Sequence, residues 1–456
     1  MNIAANRFLQ RRQIPALQSR PSVLQRSRPQ VATNRLEQAL IMAPVILLPL
    51  ESGLPHIGGF SLMYLLFIVQ AGYVISKRPE CLSKIWNHPL LVAVYAFLGV
   101  GYLMESSHPN SDYYEIFRMV QNVCGSLFIA SLCRDRTALR SAMYGYLIVG
   151  TYESIVLFRG SYGALSGATA FDYGEADRLR AQVFEENPLE ANLNALAFST
   201  AQATGVALAL ALTARSSWSR YLPLGIGLVC FVASFLPMSR SGVAILAAVC
   251  ASVVFSYGVA RFKTLAIGIV IGAAVLIWVP SAVLSRLSFS TEVDQFGRME
   301  GRAAVYTAFF HHLPEFVMLG VGRGNFWGEW GKQSMYSSER GQISGAHNAY
   351  FQMTIYWGLP ALFALLGILW QAYRSLPGRY GDDGLAIAVL SIAVSLFVWS
   401  LTVHNLYAKE FSIGFGLLAG TYRWIWSRPN IPIGRPRSRP GQTPPGKPNH
   451  HKIKSY

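Results

Sequence analysis

Residues 346–373 read AHNAYFQMTIYWGLPALFALLGILWQAY, and this stretch decides the fold. Its first residues close a long polar loop, and the remainder is a nearly unbroken apolar run. Because a helix needs about 20 apolar residues to cross the hydrocarbon core of a bilayer, the run predicts a membrane-spanning helix. His347 therefore lies where the chain enters the membrane, and a neutral imidazole at this position can accept a proton near pH 7.

The composition of the whole chain is typical of a membrane protein. Of its 456 residues, 52% are hydrophobic and 14% are charged, and the mean hydropathy is +0.31. A soluble protein carries about 25% charged residues. The predicted fold class is therefore all-α, a polytopic membrane protein of about twelve spans, which lie near 37–51, 57–76, 88–105, 113–133, 139–158, 191–213, 221–236, 242–260, 262–281, 347–373, 383–402 and 408–427.

The distribution of charge orients these spans. Lys and Arg are concentrated in alternate loops and in the two tails, 1–36 and 428–456, each of which holds seven basic residues and no acidic one. By the positive-inside rule, both tails are predicted to be cytoplasmic, on either side of a transmembrane domain over 37–427. We expect disordered tails that lie against anionic lipid, and no nucleic-acid partner, because the tails lack interleaved aromatic residues for base stacking.

Two outward loops stand out by length, 159–190 and 282–346. The second contains an amphipathic pattern from Gly301 to Leu313, with Tyr306 and Phe310 at helical spacing, which predicts a helix that ends before Pro314. The rest of that loop is rich in Gly, Ser and Trp, as expected for a segment that surrounds a ligand.

Arg240 lies between two apolar segments on the side where the positive-inside rule disfavours a cation. One interpretation is a side chain that extends to the membrane interface, and the other is a ligand-binding arginine, favoured by its small polar neighbours Ser239 and Ser241. The turn from Gly320 to Asn325 is similarly open to two interpretations. Its Gly-x-Gly pattern could present backbone N–H groups to an anion or could simply form a tight turn.

His347 is either a general base or an interfacial histidine bonded to the backbone, and His404 is the alternative base. Glu153, inside the fifth predicted span, is open between a structural and a functional role. The sequence contains no HExxH motif, phosphate-binding loop, GxSxG motif or paired cysteines, so we expect no metal and no cofactor. The five cysteines are interpreted as packing residues.

Several of these motifs, in this order, resemble the bacterial O-antigen ligase and polymerase family of surface polysaccharide assembly. The matching pieces are Ser239-Arg240-Ser241-Gly242, Gly301-Arg302 with an aromatic residue four positions later, Gly320-Val-Gly322-x-Gly324-Asn-Phe326, Ala346-His-Asn-Ala-Tyr350 and Gly358-Leu359. Arg178 or Arg180 before Asn187-Pro188 resembles a further family segment. The chain departs from the family at Tyr306, where Trp is usual, and at Leu189, where Asn is usual.

The resemblance implies a metal-independent, inverting glycosyltransferase of the GT-C-like membrane class in the bacterial inner membrane, with its active site on the periplasmic face. The implied donor is a glycan on undecaprenyl diphosphate, and the acceptor is a lipid A core or a growing polysaccharide. Arg240 and Arg302 would clamp the diphosphate, and His347 would take the proton of the acceptor hydroxyl. The expected substrate-binding residues are Arg180, Arg178, Asn348, Tyr350, Gly322 and Gly324.

The sequence leaves two alternatives open. A ligase and a polymerase share the same donor chemistry and differ in the acceptor, so the motifs do not separate them. A twelve-span transporter or flippase of polysaccharide or lipid-linked sugar is the alternative from another class. Such transporters commonly show two similar halves, and this chain instead has its longest loop between the ninth and tenth predicted spans.

Overall fold

The computed structural model describes parts of the chain between Thr33 and Trp426. The predicted C-terminal tail, 428–456, and the predicted span 262–281 lie wholly outside the described residues. The predicted N-terminal tail, 1–36, lies outside them as far as residue 32. For 162–164, 173–177, 301–303, 336–337 and 342, the backbone alone is described. The described residues are 33–48, 61–165, 173–186, 192–214, 216–256, 283, 301–337, 342–343, 345–377, 383–402 and 408–426.

Helices dominate the described part of the chain, as the all-α prediction requires. The loop that precedes the span at 347–373 adds a pair of two-residue antiparallel strands, β1 (Tyr336–Ser337) and β2 (Gln342–Ile343). A short π-helical turn, Tyr422–Trp426, follows the last helix. In chain order the helices are α1 (Arg35–Leu47), α2 (Leu62–Lys77), α3 (Pro79–Ile85), α4 (Pro89–Ser106), α5 (Tyr114–Leu132), α6 (Arg136–Leu165), α7 (Tyr173–Glu185), α8 (Leu193–Thr213), α9 (Ser217–Ala233), α10 (Arg240–Ser256), α11 (Gly301–Phe316), α12 (Arg323–Phe326), α13 (Glu329–Ser334), α14 (Ala349–Arg374), α15 (Gly384–Ser400) and α16 (Lys409–Thr421).

Every predicted apolar segment that falls within the described residues coincides with a helix. By length and composition, α4, α8 and α14 are able to cross a membrane, and α2, α9, α10 and α15 are shorter apolar helices. The chain is therefore a multi-pass helical membrane protein. The count of twelve spans and the orientation of the loops stay predictions.

Helix α8 lies at the centre of the bundle, where it packs against α6, α9, α10 and α15. Small residues allow these close approaches. A Cβ atom added at Gly150 would come within 2.2 Å of the Cβ of Ala203, and one at Gly242 within 2.4 Å of the Cβ of Ala197. Close contact through small side chains is how helices associate in a membrane, because lipid supplies no hydrophobic drive between them.

Helix α14 is broken at Gly358, whose φ of 68° and ψ of −164° are not helical. The turn before α12 closes the gap. The amides of Val321 and Gly322 donate to the carbonyls of Ile355 (2.8 Å) and Tyr356 (2.9 Å), so the carbonyls freed by the break remain hydrogen-bonded. A side chain is excluded at the break, because a Cβ at Gly358 would lie 2.4 Å from the carbonyl oxygen of Met318. The turn before α12 and the broken helix α14 are thus held together by backbone hydrogen bonds.

The two long loops, 159–190 and 282–346, differ from the sequence prediction in three details. Helix α7 lies within 159–190, where only a polar loop was predicted; it forms because Leu179 and Val183, one turn apart, are both buried. Helix α11 continues two residues beyond Pro314, since proline removes only its own N–H and the helix ends shortly afterwards. Phe310 is 60% exposed, and the buried face of α11 instead contains Phe309.

Candidate active site

The side-chain oxygen of Asn194 joins two segments that are far apart in sequence. Arg180 Nη2 donates to Asn194 Oδ1 at 2.9 Å, and Ser239 Oγ donates to the same oxygen at 2.8 Å. Arg180 Nε also donates to the carbonyl oxygen of Pro237 at 3.2 Å. Helix α7 and the segment that precedes Arg240 are therefore held at a fixed separation by one amide on α8.

Ser239 caps the N terminus of α10, the helix that begins with Arg240. The Gly242 amide donates to Ser239 Oγ at 3.2 Å, and Ser241 Oγ lies 2.9 Å from it. Because the single hydroxyl hydrogen of Ser239 is directed to Asn194, Ser241 is the donor of the second contact. Met238, directly before the cap, has a φ of 52°, which places a non-glycine residue in the left-handed region. The Arg240 backbone is therefore fixed on both sides.

The two arginines of α7 occupy different environments. Arg180 is half-buried and belongs to the Asn194 network, whereas Arg178 is exposed. Residues two apart on a helix point in different directions, so the guanidinium groups of Arg178 and Arg180 do not occupy equivalent positions. The neighbouring Asn187-Pro188 segment lies outside the described residues.

The segment around His347 is fixed at three positions. The Ala346 amide donates to Gln352 Oε1 at 2.7 Å, and Asn348 Oδ1 caps α14 by accepting from the amides of Tyr350 and Phe351. The Tyr350 hydroxyl lies 2.8 Å from Ser400 Oγ at the end of α15. His347 itself is partly exposed and has a φ of 48°. A strained residue held by its surroundings is common at functional sites.

The Asn194 network and the His347 segment lie at the same end of the bundle. Trp399, the neighbour of the Tyr350 partner Ser400, stacks on Phe198 with a centroid distance of 4.6 Å. Phe198 is one helical turn from Asn194 on α8, about 6 Å along the helix axis. The end of α15 thus connects the two groups of candidate residues.

Helix α11 brings Arg302 toward the same end. Phe309 stacks on Phe351 with a centroid distance of 4.1 Å, and Tyr306 contacts the edge of the same ring at 5.3 Å. Phe351 follows His347 by about one turn, so α11 packs against the N terminus of α14. Arg302 lies in the first turn of α11, and its side chain is outside the described residues.

The Gly320–Asn325 turn does bind an anionic group, and that group belongs to the protein. Glu105 is fully buried, and its carboxylate accepts from the amides of Arg323 (2.9 Å) and Asp112 (2.8 Å) and from the Trp357 indole (2.9 Å). Gly322 has a φ of 78°, and a Cβ there would lie 2.8 Å from the His108 ring. These backbone donors are thus occupied by protein groups.

The side chain of Arg323 completes this cluster. It forms ion pairs with Asp112 and with Glu115, the latter at 3.1 Å, and its guanidinium lies over the Tyr114 ring at 5.0 Å. Gly324 packs closely too, because a Cβ there would overlap the carbonyl oxygen of Asn110. The proposed ligand-binding roles of Gly322 and Gly324 stay predictions, and their observed role is to fasten α12 to α4, α5 and α14.

Sequence reasoning did not identify Asn194 or Glu105 as important. Asn194 had one available signal, a polar residue just inside an apolar segment, and Glu105 had the same signal at the end of α4. His404, the alternative base, lies outside the described residues. No group of three or more His, Cys, Asp or Glu side chains with the geometry of a metal site occurs in the described ranges.

The fold and this cluster define a multi-pass helical membrane protein with arginine and histidine candidates gathered at one end of its bundle. Residues 224–366 match the family model described as O-antigen ligase. The match extends from α9 into α14 and includes Arg240, Arg302 and His347, and it confirms the resemblance to the O-antigen ligase and polymerase family. No curated protein matches the chain.

Proposed function

We propose that the chain is a membrane glycosyltransferase that transfers a glycan from undecaprenyl diphosphate to an acceptor hydroxyl on the periplasmic face of the bacterial inner membrane. The acceptor is a lipid A core in a ligase or a growing polysaccharide in a polymerase. The observation that carries this proposal is the family match over 224–366 together with the network that joins Arg180 to the segment before Arg240.

In this proposal, Arg240 and Arg302 bind the diphosphate of the donor. The bond between the anomeric carbon and the phosphate oxygen breaks as the acceptor oxygen attacks, so negative charge increases on the diphosphate. Guanidinium groups bind two phosphate oxygens at once and stabilise this charge. Arg240 also begins α10, where the N-terminal end of the helix dipole adds a partial positive charge. Arg180 contributes from α7, positioned by Asn194.

His347 acts as the general base and takes the proton from the acceptor hydroxyl as the new glycosidic bond forms. Attack from the side opposite the diphosphate gives inversion at the anomeric carbon. The N terminus of α14 is an unfavourable place for a positive charge, which favours the neutral imidazole required of a base. Asn348 and Tyr350 support this role through the cap and the contact with Ser400, which fix the backbone of the base.

An apolar cavity near this end fits the lipid part of the donor. It has a volume of about 280 Å³ between α14, α15 and α16, and its lining includes Leu365, Phe397 and Phe411. Ser400, the partner of Tyr350, also lines it, so the cavity reaches the layer that holds His347. A polyprenyl chain is a purely apolar ligand, so this lining can accept it without burying an unpaired polar group.

The test uses purified full-length protein in lipid nanodiscs, with a glycan on undecaprenyl diphosphate as donor and no added metal. Lipid A core and oligosaccharide acceptors are assayed separately, because the product identifies a ligase or a polymerase. We expect His347→Ala to abolish transfer while donor binding persists. Arg240→Lys and Arg302→Lys should lose most activity, since lysine keeps the charge but not the planar fork.

His312→Ala is the matched control, because His312 binds Glu315 on the exposed part of α11 and has no role in the proposed reaction. Transfer at the wild-type rate by His347→Ala would exclude this base. Loss of wild-type activity with EDTA that metal restores would exclude the metal-independent mechanism. Movement of the intact lipid-linked glycan across the bilayer without any new glycosidic bond would instead show a flippase.

A further inference from the structure

A small cavity inside the bundle is separate from the site described above. It offers about 30 Å³ of space for water-sized groups, enough for one or two of them, since about 10–15 Å³ accommodates one. The polar side chains that line it come from three helices: Tyr146 and Glu153 from α6, Ser199 and Gln202 from α8, and Glu410 from α16.

Glu153 is the unusual member of this lining. The residue is 0% exposed, and neither carboxyl oxygen has a hydrogen-bond partner among the described residues. Ser199 faces the carboxyl without reaching hydrogen-bond geometry. An ionised carboxylate that is buried without a partner costs several kcal/mol, so Glu153 either takes up a proton or is accompanied by another cation.

Among the described residues of the lining, no side chain supplies a positive charge, because none is Lys, Arg or His. Val45 of α1 and Leu48, directly after α1, are apolar members of the lining. Among the described residues, the titratable groups that face Glu153 are Tyr146 on its own helix, Glu410 on α16 and the thiol of Cys230 on α9. All three are neutral or anionic.

The remaining polar groups are mainly acceptors. Gln202 Nε2 donates to Ser395 Oγ at 2.7 Å, and the amide oxygen of Gln202 is left as an acceptor beside the second N–H. Carboxylate, amide and hydroxyl oxygens are the ligands of hard cations and of hydrated protons. The cavity is therefore rich in oxygen acceptors, enclosed, and large enough for an ion with one water molecule.

We propose that this cavity binds one monovalent cation on Glu153, taken from solution as a proton or as Na⁺, with Gln202 and Ser199 as further oxygen ligands. The cation neutralises the carboxylate and links α6 to α8 in the interior of the bundle. This proposal does not rest on the proposed transferase function, and it is tested by binding and stability alone.

The experiment measures the thermal unfolding midpoint of the full-length protein in phosphatidylcholine nanodiscs, which carry no net lipid charge. Na⁺ is exchanged for N-methylglucamine at constant ionic strength, at mildly acidic and mildly alkaline pH. In wild type, we expect the midpoint to fall by a few degrees when both cations are scarce, at alkaline pH without Na⁺. Glu153→Gln, a neutral side chain of the same shape, should lose this response. Glu329→Gln, an exposed position, should keep it.

The two sources of the cation give different results. Protection by Na⁺ at alkaline pH, together with retention of radioactive sodium, identifies Na⁺. Protection by acid alone, with an infrared band of a protonated carboxyl that Glu153→Gln lacks, identifies the proton. Equal responses of wild type and Glu153→Gln would overturn the proposal. If Glu153→Gln does not fold, wild type that neither retains sodium nor shows the carboxyl band overturns it as well.

Discussion

Asn194 provides the sharpest test of how the candidate site is built. Replacement by alanine removes the oxygen that accepts from both Arg180 (2.9 Å) and Ser239 (2.8 Å). We expect Asn194→Ala to insert and fold, because the substitution leaves the apolar contacts of α8 in place. Arg180 and Ser239, the cap of α10, would then lose the acceptor that they share, and donor binding should weaken.

The magnitude follows from what each donor retains. Ser239 keeps Ser241 within 2.9 Å as a substitute acceptor, so its loss is small. Arg180 keeps its contact to the Pro237 carbonyl at 3.2 Å and loses one hydrogen bond of a charged group, which is worth about 1.5–3 kcal/mol. If the lost free energy of about 2 kcal/mol appears in full in the free energy of donor binding, the donor binds about 30-fold more weakly.

The assay measures the rate of transfer against donor concentration in nanodiscs, at equal amounts of folded protein. Asn194→Asp is the informative partner variant, because a carboxylate keeps the acceptor oxygen and adds an ion pair with Arg180. Asn194→Asp should bind the donor about tenfold more tightly than Asn194→Ala does, or better. Asn192→Ala is the matched control, since Asn192 caps the same helix by accepting from the Asn194 amide at 2.9 Å. Wild-type donor dependence in Asn194→Ala, or an equal defect in Asn192→Ala, would refute the reasoning.

Three further predictions concern the scaffold and its orientation. Glu105→Gln should lower unfolding stability by about 2–4 kcal/mol, because an amide NH₂ would face a buried donor; an unchanged thermal midpoint would contradict this. Gly358→Ala should reduce the folded yield, since its Cβ would meet the Met318 carbonyl at 2.4 Å. Gly367→Ala on the same helix has open space around it and should fold normally. Equal yields of the two variants by size-exclusion chromatography would exclude a requirement for glycine at the break. Reporter fusions should place residue 330 outside and the C terminus in the cytoplasm, and cytoplasmic activity at residue 330 would reverse the predicted topology.

The sequence predicts the helices well because a membrane limits the possible backbone structures. A segment in lipid must satisfy its own backbone hydrogen bonds, so an apolar run of sufficient length becomes a helix. Helix α8 illustrates this, since the run at 191–213 corresponds to Leu193–Thr213. The same rule conceals the break at Gly358, because hydropathy is insensitive to backbone conformation and the run 347–373 reads as one uninterrupted span.

The site was predictable only where its residues belong to local motifs. Arg240 and His347 stand in recognisable surroundings, and the family match includes both. Asn194 acts through Arg180 and Ser239, 14 and 45 residues away in the chain, and no local pattern specifies such a pairing. The Gly320–Asn325 turn shows the converse: its Gly-x-Gly pattern leaves an anion site and a tight turn open, and it cannot reveal that the Arg323 amide donates to Glu105.

The break in α14 has a consequence for how the protein responds to its lipid environment. A continuous helix that is too long or too short for the local bilayer tilts as one rod, and the tilt reaches both of its ends. Here the half of α14 before Gly358 is hydrogen-bonded to Val321 and Gly322 in the turn before α12. The half of α14 after Gly358 ends at Arg374. Changes in bilayer thickness can therefore reorient the second half while the residues next to His347 stay in register with the layer that holds them. The break insulates the end of the helix that follows His347 from hydrophobic mismatch.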